Sequence, residues 1–82
     1  MTELSRFYGI VVRMYFKDHV PPHVHAEYGG SEALFSIATG ELFAGDLPRT
    51  ARKLVEEWVK LNAAQLQDMW DSKDIMELPP LD

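Results

Sequence analysis

Two adjacent glycines, Gly29-Gly30, constrain the fold of this chain more than any other feature, because residues alternate in hydrophobicity on both sides of them. Glycine accepts the positive φ that a two-residue type I′ turn demands, so the pair predicts a β-hairpin of fixed register. With Tyr28 opposite Ser31, the pairs running outward are Glu27 with Glu32, Ala26 with Ala33, His25 with Leu34, Val24 with Phe35 and His23 with Ser36. Paired residues share a face. Val24, Ala26, Tyr28, Ala33, Phe35 and Ile37 therefore form one apolar surface, an agreement that a one-residue slip would destroy. The histidines fall on the other face, and Glu27 meets Glu32 as a like-charge pair that needs a cation or solvent to relieve it.

The preceding segment, Gly9 to Lys17, alternates in the same way. Ile10, Val12, Met14 and Phe16 mark a core side, and Val11, Arg13, Tyr15 and Lys17 an outer side. Thr39-Gly40-Glu41 reads as the next turn and Leu42-Phe43-Ala44 as a short strand ended by Gly45. Leu47-Pro48 then opens a helix, with Asp46 as a candidate cap. Ala51, Leu54, Val55, Trp58 and Leu61 recur at helical spacing, and Leu66, Met69 and Trp70 continue the stripe. A capping box of Asn62 with Gln65 would divide it into two helices. Trp58 and Trp70 read as core anchors. The closing Ile75 to Leu81 stretch is too rich in proline for helix, and packs as an extended tail or meets a partner.

These patterns predict a single α+β domain over residues 1–82: an antiparallel meander of three to four strands followed by one or two C-terminal helices packed on one face. At 82 residues, 46% of them hydrophobic, the chain holds one core at the size where stability is marginal, so a metal, a homodimer or a partner would help it. With no cysteine there is no disulfide and no thiolate chemistry. Neither a signal peptide nor an apolar run of membrane-spanning length is present, which makes a cytoplasmic protein without membrane contact the expectation. The net charge of −5 argues against a general nucleic-acid coat, although the excess is concentrated after residue 60 and leaves the body near neutral.

All three histidines lie in His19-Val20-Pro21-Pro22-His23-Val24-His25. Histidine titrates near neutrality, so the cluster is the candidate site, and three roles are open to it. As acid and base, two imidazoles could cleave RNA without a metal, with His19, His23 and His25 as the catalytic candidates and Arg13, Tyr15, Lys17 and Glu27 as substrate contacts. As zinc ligands, His23 and His25 project in parallel from one strand and could share an ion at about 2.0–2.1 Å. His19 would join them only if the diproline segment turned, as a cis proline would allow. As structural groups, the imidazoles could bond backbone atoms around prolines that lack N–H groups.

A resemblance rests on Ser5-Arg6-Phe7-Tyr8-Gly9-Ile10, Met14-Tyr15-Phe16, Asp18-His19, Pro21-Pro22-His23, His25-Ala26-Glu27-Tyr28, Leu47-Pro48, Glu57-Trp58, Leu66 and Trp70. Over nearly the whole chain these resemble the bacterial domain-of-unknown-function family numbered 4160. The resemblance implies a small toxin-like protein of a two-gene toxin–antitoxin module, with a cognate antitoxin-like partner and an activity carried by His19, Pro21, Pro22, His23 and His25. Where relatives tend to carry a further histidine, this chain has Asn62.

Overall fold

The computed structural model describes residues 2–15 and 21–81. Five strands form one antiparallel sheet in sequence order: β1 (Thr2–Phe7), β2 (Ile10–Met14), β3 (His23–Tyr28), β4 (Ser31–Ser36) and β5 (Leu42–Gly45). Two helices follow, α1 (Arg49–Leu61) and α2 (Ala63–Ser72). This is the expected α+β meander with one more strand at its N-terminal edge. β1 escapes sequence pattern because of a bulge. Glu3 pairs with Arg13 but Ser5 with Val12, so Leu4 is the extra residue, and both Leu4 and Ser5 are buried. The break in alternation hides the strand from a period-two search.

The β3–β4 register agrees pair by pair with the one deduced from Gly29-Gly30, whose φ angles are 54° and 85°. Val24, Ala26, Ala33, Phe35 and Ile37 are buried together with Ile10, Val12 and Met14 of β2. Onto this face α1 lays Ala51, Val55, Trp58 and Val59, and α2 adds Leu66 and Met69. Each such side chain, fully buried, stabilises the domain by about 1.5–3 kcal/mol for the larger ones.

Three local expectations at the helices change. Asp46 does not cap α1; Pro48 occupies the N-cap position and no side chain bonds there. The break at Asn62 is present, but no capping box makes it. Asn62 turns its Nδ2 back to donate to the Trp58 carbonyl at 2.9 Å, so its amide satisfies the end of α1 instead of the start of α2. Leu61 is 66% exposed, and the core position falls to Val59, one turn after Val55.

The tail is committed to the fold. The Leu78 N–H donates to the Leu4 carbonyl at 2.9 Å, and Trp58 Nε1 donates to the Pro79 carbonyl at 2.9 Å. Ile75, Leu78 and Leu81 pack against the core. The tail thus covers part of the β1 edge, an edge that would otherwise present open backbone groups. No helix among the described residues is long and apolar enough to cross a membrane.

Candidate functional site

Both carbonyls of the diproline are bonded where the chain enters β3. Pro22 accepts from the Ile37 N–H at 3.0 Å, and Pro21 from His23 Nδ1 at 3.0 Å. That bond assigns the Nδ1–H tautomer to a neutral His23 and leaves Nε2 as the bare acceptor. Alternation places His23 on the outer face of the sheet, but the ring is 0% exposed. Trp70 of α2 lies 5.3 Å from it, Phe43 of β5 stands edge-on at 5.9 Å and His25 is 5.4 Å away, all between ring centroids. His23 Nε2 has no hydrogen-bond partner among the described residues. Strand parity gave the face correctly; it carried no information on what covers that face.

His25, two residues on, is half-buried. Its Nδ1 lies 3.4 Å from Glu32 Oε2, a long contact, and its ring meets Tyr15 edge-on at 4.4 Å. Arg13 pairs with His25 across the β2–β3 ladder and makes an ion pair with Glu27. The hydrogen bond that Arg13 donates to Glu27 is the main reason that its guanidinium has a pKa above its ordinary value; partial desolvation opposes it, and the charges of Glu27, Tyr15 and Glu3 add to it. Of the opposed Glu27 and Glu32, Glu27 is relieved by its ion pair with Arg13, and Glu32 is 53% exposed to solvent.

Of the candidate residues, the fold gathers Arg13, Tyr15, His25 and Glu27 on one outer patch and holds His23 beneath it. Lys17 and His19 lie outside the described residues. So does the Val20–Pro21 bond; no peptide bond among the described residues is cis. Among the described residues no group of three His, Asp or Glu side chains is arranged to hold a metal ion. A zinc site would need His19, and His23 could offer it only Nε2, since Nδ1 is engaged by Pro21. Two contributors were invisible in the sequence: Phe43 and Trp70, which enclose His23, belong to β5 and α2 and reach it only through the tertiary fold.

No curated protein and no solved structure matches this chain. The family described as Domain of unknown function (DUF4160) matches residues 9–71, a span running from the β1–β2 turn into the last turn of α2 and containing the whole histidine segment. The chain belongs to that family.

Proposed function

We propose that this protein is a non-catalytic, protein-binding component of a two-gene, toxin–antitoxin-like module, acting in the cytoplasm through a small cognate partner. The observation that carries this reading is the burial of His23. Its Nδ1–H is spent on the Pro21 carbonyl and its ring is enclosed by Trp70 and Phe43, so it serves the start of β3. Acid–base cleavage of RNA needs a general acid and a general base within reach of the substrate's oxygens, and the enclosed His23 ring is 0% exposed.

The second reading, an RNA-acting toxin, draws on a different observation. His25, Tyr15, Arg13 and Glu27 share the outer patch, where one imidazole and one guanidinium meet. It would need His19 and Lys17 to complete the acid–base pair and the phosphate contact. Incubating the purified protein with total RNA separates the two. The binding reading expects intact RNA with wild type and with His25→Ala alike; cleavage by wild type that His25→Ala abolishes would overturn it.

A further inference from the structure

The fully buried His23 ring leaves its Nε2 without a hydrogen-bond partner among the described residues. A buried acceptor in that state has lost its water and gained nothing in return, so each such atom in a native fold asks for an explanation. Packing explains the ring but not the nitrogen, because the space between Trp70 and Phe43 would hold a phenyl ring as well. The tautomer narrows what the atom can take. With the ring proton on Nδ1 and donated to the Pro21 carbonyl, Nε2 is a bare lone pair, open to an N–H or O–H donor or to a metal ion.

The neighbouring imidazole favours the metal. His25 leaves the same strand on the same side two residues later, and its own Nδ1 lies 3.4 Å from Glu32 Oε2. Each ring thus has Nδ1 directed to an oxygen acceptor, a backbone carbonyl for His23 and a carboxylate for His25, and each has Nε2 to offer. Metal-binding histidines are oriented, and made more basic, by partners of these two kinds. The spacing agrees as well. Two imidazoles bound through Nε2 to one ion at about 2.0–2.1 Å, at a tetrahedral angle, hold their ring centroids roughly 5.2 Å apart. The centroids of His23 and His25 are 5.4 Å apart. A single water would satisfy Nε2 with no need of a second imidazole at this distance or of a carboxylate behind it. Arg13, the cation beside His25, is ion-paired with Glu27 and does not oppose a dication with an open charge. The way in passes Phe43, which stands edge-on to His23 from the edge strand β5 and is itself 44% exposed.

We infer that His23 and His25 bind a divalent transition-metal ion of the imidazole-seeking class, zinc first, through their Nε2 atoms. The inference goes beyond the protein-binding reading, which requires no ion. Two imidazoles fill two positions of a tetrahedral ion; the others fall to solvent or to His19, the chain's remaining imidazole, which lies outside the described residues. An ion held there would also serve the fold, since a bound metal is one of the devices by which a domain of this size gains stability.

The test titrates zinc chloride into the untagged full chain after chelator treatment, by calorimetry, with long-range proton–nitrogen spectra of the histidine rings recorded in parallel. Wild type should bind a single ion, the Nε2 resonances of His23 and His25 should shift while Nδ1 stays protonated, and the melting temperature should rise in zinc and fall back with EDTA. His25→Ala and His23→Phe should each weaken zinc at least ~10-fold. His23→Phe keeps a ring between Trp70 and Phe43, so its melting temperature in EDTA separates a lost ligand from a lost fold; if it does not fold, His25→Ala decides alone. No binding by wild type at millimolar zinc, an affinity unchanged in either folded variant, or coordination through Nδ1 would each overturn the inference. The protein-binding reading stands or falls on RNA cleavage through His25 instead, measured in EDTA, so the two fail separately.

Discussion

Replacing His23 by alanine and, separately, by phenylalanine distinguishes an imidazole kept for packing from one kept for chemistry. An 82-residue domain at about 0.05–0.15 kcal/mol per residue has roughly 4–12 kcal/mol of stability in total. Truncation to alanine empties the space between Trp70 and Phe43. Aromatic-to-alanine changes cost about 3–5 kcal/mol, and the smaller imidazole lowers this to about 2–4. Loss of the bond to Pro21 adds about 1 kcal/mol, so His23→Ala should cost about 3–5 kcal/mol, enough to unfold much of the population at the lower end of that stability range. His23→Phe also loses the bond to Pro21, but it keeps the ring and removes the buried Nε2, which has no partner among the described residues and whose desolvation costs the native state roughly 1–3 kcal/mol. The two terms nearly cancel, and the phenylalanine variant should lie within about 1 kcal/mol of wild type. Urea unfolding followed by the fluorescence of Trp58 and Trp70 gives both values. A phenylalanine variant as unstable as the alanine one would refute the account, because it would mean that Nε2 makes an interaction the native state needs.

Two further predictions concern the frame around the site. Gly45 has φ of 75°, and a Cβ there would lie 2.3 Å from the Glu32 carbonyl oxygen and 2.9 Å from the Ala33 Cα, both backbone atoms of the neighbouring strand. Gly45→Ala should therefore cost more than the roughly 1–2 kcal/mol of left-handed strain alone and peel β5 from the sheet, read as lost amide protection at Leu42 to Ala44. Deleting residues 75–82 removes the Leu78 and Pro79 bonds and uncovers Trp58, so the truncated chain should lose about 3 kcal/mol or more and show red-shifted tryptophan emission; unchanged stability would return the tail to the role of a free partner-binding segment.

Most of the sheet was legible because its information is local. Gly29-Gly30 determines a turn, the turn determines a register, and parity then assigns Val24, Ala26, Ala33 and Phe35 to the core. The first strand was not legible, since the bulge at Leu4 breaks its alternation and the residue's carbonyl is used by a tail more than seventy positions away. Helix ends were read through the commonest side-chain chemistry, and both departed from it. Asn62 served the helix behind it in place of the helix ahead, a choice made by the geometry of its own φ of −113° and not by its identity.

At the site the same limit has a sharper consequence. Three histidines beside two prolines read as concentrated chemistry, yet prolines also bring carbonyls into a segment short of N–H donors, and a nearby imidazole is a donor of the right reach. His23 serves in that way, and the outer face at its end of β3 is closed by rings from β5 and α2. Five residues along the same strand the situation reverses. Tyr28 and the neighbouring turn residue Tyr8 carry no titratable group near neutrality and attract no notice in a search for catalytic motifs, but they are exposed, one of them at a conformational cost. Tyr8 meets Phe7 edge-on at 6.4 Å between ring centroids, so part of the cost of its turn is offset by packing within the chain. The backbone partner of His23 accounts for Nδ1, while the buried Nε2 has no partner among the described residues.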